Sequence, residues 1–316
     1  MRDAQNIRIA ILGSSAGNGH PYSWSAIING YDRDRMTAEC PFPGIPDYLN
    51  KEPEVGLPGV EVTHIHCVGD GGFTADHVAA CARIGSVVTR PEDVIGEVDA
   101  VIVATDRGSE HVDRCRPFVE AGIPLFVDKP LATDRASLST FLDWRRQSAP
   151  IMSSSSMRYA KEFAPFRAST NDLGELRLAT ITSPKSWEAY GIHALEAIYP
   201  ILGPGFESVT NTGSASRNVV HLTHRRGVDV VATVTSDLYG GFGLLQLAGT
   251  HGSVQARFAD TFHAFRAQLA DFIGYLRTGT EPYPFDETAE LMRLVIGGIE
   301  SRDRGGARIG VGADDF

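Results

Sequence analysis

Hydrophobic positions in the first half of the chain alternate between two rhythms. Short unbroken apolar runs at 7–12, 62–68, 99–105, 122–128 and 150–155 are separated by stretches where apolar residues return every three or four positions, at 23–30, 75–84, 109–120 and 134–147. Unbroken runs suit strands buried on both faces, and the longer period suits crossover helices, so the series predicts a doubly wound parallel sheet of Rossmann type. Asp99-Ala-Val-Ile-Val-Ala-Thr105 and Gly122-Ile-Pro-Leu-Phe-Val-Asp128-Lys129-Pro130 show the pattern best. Between them Val112, Cys115, Phe118 and Val119 share one helical side, Glu110, Asp113, Arg114 and Arg116 the other, and Gly122 supplies the stop.

The second half changes character. Short β-rich runs at 176–183, 219–224, 228–236 and 243–258, with a helix at 191–201, predict a largely antiparallel sheet carrying helices, an α+β domain. Helical periodicity returns at 261–277 and 286–301. The expected division is therefore 1–155 for dinucleotide binding and 156–316 for substrate and oligomerisation, with the last helices free to pack back on the first domain. Pro41, Pro43, Pro46, Pro53 and Pro58 lie between the first helix and the second strand, so residues 41–59 are predicted as a long loop. A lid, a subunit contact and a packed surface excursion are the readings open for it.

Composition narrows the class. A chain of 316 residues, 42% hydrophobic, can build two cores. A net charge of −10 argues against nucleic-acid and anionic-membrane partners, which need a concentrated positive field, and favours small-molecule ligands. Cys40, Cys67, Cys81 and Cys115 show no paired spacing and read as reduced thiols, which suits the cytoplasm. No basic-then-apolar leader and no apolar run of membrane length is evident.

The first run leads directly into Gly13-Ser14-Ser15-Ala16-Gly17-Asn18-Gly19. Glycines at such a strand-to-helix turn let the backbone approach a pyrophosphate, whose charge the following helix end favours. Gly13, Ser14, Ser15, Gly17 and Asn18 are the candidate phosphate-side residues, although a strict GxGxxG would place glycine at Ser15. Asp70, ending the second strand, is placed to accept both ribose hydroxyls, and its charge favours NAD over NADP. Thr105, Asp106 and His111, after the fourth strand, and Asp128 and Lys129, after the fifth, complete the candidate cofactor set. Gly13 to Gly17 also matches the GxSxG elbow of α/β hydrolases, but only fourteen residues precede Ser15, too few for the strands and oxyanion loop that normally come first.

On these residues, with Gly191-Ile192-His193 and the closing pattern from Gln268 onward, the chain resembles the glucose-fructose oxidoreductase and inositol dehydrogenase family, Gfo/Idh/MocA, nearly end to end. The resemblance implies a nicotinamide dinucleotide on the first domain and a sugar, polyol or related alcohol against the second. It also implies a homodimer or homotetramer through the second sheet. The family's Glu-Lys-Pro motif corresponds to Asp128-Lys129-Pro130, and the histidine of its Asp-x-x-x-His motif to His193. The aspartate of that motif falls on Ala189, with Glu188 and Tyr190 beside it. The approach to His193 is also shortened, which implies an altered substrate pocket.

The expected reaction is hydride transfer between nicotinamide and a secondary alcohol. His193 is the expected base, because an imidazole titrates near neutral pH, and Lys129 would stabilise the developing charge on the substrate oxygen. Arg158, Lys185, Trp187 and Tyr190 are further substrate-side candidates, with a surface ion pair at least as well supported for Arg158 and a solvent lysine and a packing tryptophan the safer readings of Lys185 and Trp187. His64 and His66 share one face of a strand, but no third ligand accompanies them, so no metal is assigned. The rival to the dehydrogenase is a catalytically weakened dinucleotide-binding sensor or regulatory protein.

Overall fold

In a computed structural model, residues 6–67 and 71–316 are described. The chain forms two compact units. The first comprises Met1–Asp128, Thr140–Ser153 and Phe265–Pro282, the second Lys129–Ser139, Ser154–Ala264 and Tyr283–Phe316.

The first unit runs β1 (Ile7–Leu12), α1 (His20–Asn29), α2 (Arg33–Glu39), α3 (Gly44–Leu49), β2 (Val60–His66), α4 (Ala75–Ala82), β3 (Ser86–Val87), β4 (Ala100–Val103), α5 (His111–Glu120) and β5 (Leu125–Val127). Then follow α6 (Arg135–Arg146) and β6 (Ile151–Met152). The six strands are parallel in the order β3-β2-β1-β4-β5-β6. Every residue of β4 and β5 is buried, which is why those segments read as unbroken apolar runs. Gly122, at φ +70°, ends the turn after α5 as predicted.

The proline-rich stretch corrects the sequence reading. It was predicted as loop alone, yet it contains α3, with Pro43 as N-cap and Pro46 in the first turn. First-turn amides have no intrahelical acceptor, so proline removes no hydrogen bond there. Similarly, α1 starts three residues before the predicted 23–30, with Pro21 in its opening turn. The short, exposed strand β3 carries no apolar pattern and was not foreseen.

The second unit continues with α7 (Ala164–Ala168), β7 (Leu176–Pro184), α8 (Trp187–Leu202), β8 (Phe206–Asn211), β9 (Arg217–His224), β10 (Val228–Thr235), β11 (Leu244–Gly249) and β12 (Ser253–Arg257). α9 (Thr261–Thr278) carries the chain back to the first unit, and α10 (Phe285–Asp303) and β13 (Ile309–Gly310) close the second. Its sheet has the order β12-β11-β7-β10-β9-β8-β13, antiparallel throughout except for the parallel pair β7 and β10. β9 and β10 alternate buried and more accessible residues, with α8 and α10 covering the buried face. The predicted run 243–258 is a hairpin of β11 and β12, and β8 and β13 were missed.

α8 begins four residues before the predicted 191–201, because Ser186 accepts the Ala189 amide as an N-cap. Trp187 therefore lies in the helix rather than in a loop. It is fully buried, donates Nε1–H to the Val295 carbonyl at 2.9 Å, and approaches Gly191 so closely that a Cβ there would sit 2.7 Å from its ring.

His224 and His66 are held neutral. Burial pushes both imidazoles below their ordinary pKa. His224 donates Nε2–H to Gly203 at 3.3 Å and accepts the Arg226 amide on Nδ1 at 3.2 Å, so a second proton has no acceptor to face. A depressed histidine pKa means the unfolded chain binds more protons, and stability is lost as pH falls through the unfolded value. The urea midpoint is expected to drop between pH 7.5 and 5.5, and His224→Gln to make that drop shallower; an unchanged pH slope in the variant contradicts the assignment.

Candidate active site

In the first unit the strand order reverses between β1 and β4, and the loops after these two strands meet there. Gly13 has φ +91°, and a Cβ on it would lie 2.7 Å from Thr105 Cγ2, so the position admits only glycine. Gly17 has φ +74° with open space where a Cβ would be. Ser15, at the position of the motif's second glycine, donates its hydroxyl to Asp106 and accepts the Asp106 amide at 3.3 Å, so the substitution links the two loops. Ser15 is 2% exposed and no described imidazole bonds its hydroxyl, which removes the arrangement a serine hydrolase needs.

Asn18 bridges the same crevice, donating Nδ2–H to the Ala104 carbonyl at 3.2 Å and to Asp128 at 3.1 Å. Asp128 is fully buried and also meets His20 Nδ1 at 2.6 Å, while His20 stacks on Trp24. The sequence reading missed His20, whose signal was its place at the first turn after the glycine loop. Asp128 thus holds the start of α1, and His111 Nε2 bonds the Thr105 carbonyl at 2.7 Å to hold the start of α5. Asp70 lies outside the described residues.

These parts suit a dinucleotide. The hydroxyls of Ser14 and Thr105 are buried with no hydrogen-bond partner among the described residues. Gly19, the N-cap of α1, offers no side chain to its amides. A cavity of about 230 Å³ beside Gly13 is lined by Leu12, His66, Val103, Arg114 and Phe118 among others. Asn18 Oδ1 accepts the His20 amide at 2.9 Å, and the orphaned hydroxyls and the glycine-only backbone beside it are features that suit a pyrophosphate. Gly13, Ser14, Ser15, Gly17 and Asn18, the phosphate-side candidates, all lie in the turn between β1 and α1.

Lys129 and His193 both belong to the second unit, with Tyr190 as their common neighbour. Lys129 is 3% exposed and its Nζ lies 5.2 Å from the centre of the Tyr190 ring. The His193 ring meets the same phenol edge-on at 4.6 Å, and Phe242 packs on its other flank at 5.5 Å. Lys185, at φ +64° in the turn before α8, places its Nζ 4.4 Å from the Tyr190 centre. Each such cation over an aromatic face contributes roughly 0.5–2 kcal/mol, more as water is excluded.

His193 is also oriented from behind. Its Nδ1 lies 2.6 Å from Ser155 Oγ, which accepts the Met157 amide at 3.0 Å. The Ser155 amide donates to Glu196 at 3.1 Å, and Glu196 receives Arg158 Nε at 2.5 Å. Arg158 is 9% exposed, bonds Glu287 at 2.9 Å and stacks on Tyr283. Burial opposes its charge, but Glu196 and Glu287 outweigh burial and hold its pKa above the ordinary value. Arg158 therefore faces two carboxylates inside the unit, and Trp187 is core. The motif's aspartate position, Ala189, stands one helical turn before His193, and neighbouring Glu188 is paired with Arg302 at 2.6 Å. Ser155 and Glu196 escaped the sequence reading, since 38 residues separate Ser155 from His193 and no local signal joins them.

Among the described residues no group of three potential ligands could hold a metal ion, and no helix is long and apolar enough to cross a membrane.

A six-stranded parallel sheet in this order, with a glycine turn at its reversal, is the Rossmann-type α/β class of fold. The family described as GFO_IDH_MocA, oxidoreductase family, NAD-binding Rossmann fold, matches the chain over residues 51–153. No curated protein matches it in sequence. Myo-inositol dehydrogenase from Corynebacterium glutamicum shares its fold at TM-score 0.70 and 19% identity, covering 97% of this chain and 99% of that one. Myo-inositol dehydrogenase from Lactobacillus casei, solved with NAD(H) and myo-inositol, is similar at TM-score 0.72, 15% identity and 97% of each chain. Scyllo-inositol dehydrogenase from the same organism, solved with NAD(H) and scyllo-inositol, is similar at TM-score 0.74 and 11% identity, covering 97% of this chain and 99% of that one.

Gly13→Ala is expected to weaken NADH binding at least about tenfold and to lower stability by about 1–3 kcal/mol, the range for a side chain forced into positive φ. Fluorescence titration and urea denaturation measure the two, and unaltered NADH affinity would remove Gly13 from the cofactor cradle.

Proposed function

We propose that this chain is an NAD-dependent dehydrogenase that moves a hydride between nicotinamide and a secondary alcohol of a sugar, cyclitol or similar polar metabolite. The observation that carries the proposal is the convergence of Lys129 Nζ and the His193 imidazole on one phenol ring, with Ser155 behind the imidazole. NAD, when bound, supplies the hydride acceptor at its nicotinamide C4. With the Nδ1 proton donated to Ser155 Oγ, His193 presents the Nε2 lone pair and takes the substrate's hydroxyl proton there. Lys129 donates from Nζ to the same substrate oxygen and stabilises its negative charge as the proton leaves. Ser155 is a positioning residue, fixed by Met157 and Glu196. In the reverse direction His193 Nε2 returns the proton to the carbonyl oxygen.

The accessible face of the second unit's sheet, with Val219 44% exposed and His221 bonded to Asp229 at 2.7 Å, is where we place a homo-oligomer contact. Four free thiols suit a reducing, cytoplasmic location.

Lys129→Met is expected to cut kcat at least about 100-fold while changing the NADH Kd less than about threefold, because a group acting on the reacting oxygen leaves the dinucleotide contacts intact. Equal turnover in that variant removes Lys129 from the reacting centre. Ser155→Ala is expected to lower kcat about tenfold and to move the pH at which kcat/KM falls, whereas a purely structural serine would leave that pH unchanged. Ala189, in place of the motif's aspartate, supports a second reading, a dinucleotide-binding sensor. Tight NADH binding without turnover on any sugar, polyol or hydroxy acid would favour it.

A further inference from the structure

Among the described residues two aromatic rings meet the His193 imidazole, and one of them, Tyr190, is its neighbour in α8. The other, Phe242, comes from the turn between β10 and β11 and was not singled out from the sequence. Its ring stands 5.5 Å from the imidazole at 78°, the Tyr190 ring stands 4.6 Å away at 66°, and the Tyr190 and Phe242 rings are themselves 6.1 Å apart. The three rings close a triangle. Edge-to-face packing is directional, because the positive rim of one ring seeks the negative face of the other, so each pair favours one ring orientation by about two- to tenfold.

The turn that carries Phe242 is fastened on both sides of it. Thr182 of β7 donates its hydroxyl to the Gly241 carbonyl, the Thr182 carbonyl accepts the Gly243 amide at 3.0 Å, and the Gly243 carbonyl accepts the Phe258 amide at 3.0 Å. The following position admits only glycine. Gly243 has φ +66°, and a Cβ there would lie 2.5 Å from Phe258 Cβ and 2.7 Å from Met157 Cε. Phe258 backs the Phe242 ring at 5.6 Å, and the Met157 amide bonds the Ser155 hydroxyl that faces His193 Nδ1. The turn therefore packs on the same support that holds the imidazole.

We propose that Phe242 is a positioning residue for His193, clamping the plane of the imidazole together with Tyr190 while Ser155 fixes which nitrogen carries the proton. The inference rests on the dehydrogenase reading and adds to it a residue far along the chain. One hydrogen bond fixes a point, not a plane. An imidazole turned over about its Cβ–Cγ bond exchanges Nδ1 with a carbon, and it then loses both the Ser155 bond and the aim of Nε2 at the substrate. Two rings packed edge to face against it oppose that rotation. Phe242 touches no reacting atom in this scheme, and its effect passes through the imidazole alone.

Nitrogen NMR of the imidazoles in the NADH-loaded protein, with His193→Gln to assign the signal, reads the clamp without any turnover. Wild type and Phe242→Tyr are expected to show one tautomer, with the proton on Nδ1, and Phe242→Leu, which keeps apolar bulk but removes the ring, a mixture or an exchange average. In the kinetics Phe242→Leu should lower kcat about three- to tenfold with the NADH Kd within about threefold, and Phe242→Tyr should restore kcat. Added to Ser155→Ala, Phe242→Leu should cost less than about a further twofold, since both act through one imidazole. A wild-type imidazole spectrum in Phe242→Leu, losses that multiply in the double variant, or an equal loss in Phe242→Tyr overturns the clamp. Wild-type protein that turns over no alcohol rejects the dehydrogenase reading, and the nitrogen spectra then still decide whether Phe242 holds the imidazole.

Discussion

Removing an ammonium or guanidinium group from water costs several kcal/mol unless other groups replace its hydration, and the second unit is organised around meeting that cost. Lys129 is buried against an aromatic face, and Arg158 is buried between Glu196 and Glu287. Glu196 links the two arrangements, because its other oxygen accepts the Ser155 amide and Ser155 orients His193. A buried ion pair thus stands behind the serine that bonds the imidazole, and removing Arg158 would leave two carboxylates, Glu196 and Glu287, without their shared cation.

The first unit solves a different problem, that of holding the turn after β1 close to the turn after β4. Gly13 permits the approach to Thr105, while Ser15, Asn18 and Asp128 tie the loop to its neighbours. Ser15 shows how a glycine motif can lose a glycine and keep its geometry: the hydroxyl turns toward Asp106 and stabilises the loop from within. Asp128 is similarly internal. The next residue, Lys129, already belongs to the second unit, so adjacent residues serve separate units.

The fold was legible because burial on both faces leaves an unbroken apolar signature, and β1, β4 and β5 were found on it. Elements without that signature were not: β3 is exposed, β13 has two residues, and α3 hides behind prolines that a helix tolerates in its first turn. The candidate site was legible only in part. Lys129, Tyr190 and His193 were named and lie together, whereas Trp187 and Arg158 were named and lie in the interior. Residue type cannot distinguish an arginine facing solvent from one facing two glutamates, since the partners lie 38 and 129 residues away.

By itself the sequence determined the parallel sheet, the glycine turn and the presence of a lysine after the fifth strand. Each is a local consequence of periodicity or of backbone freedom at glycine. Only the tertiary structure decided that Lys185 joins Lys129 over one tyrosine, that Ser155 stands behind His193, and that Glu188 is unavailable to replace the aspartate missing at Ala189. Those outcomes depend on which distant segments pack against α8, and the pairing of charges across such distances has no period from which to read it.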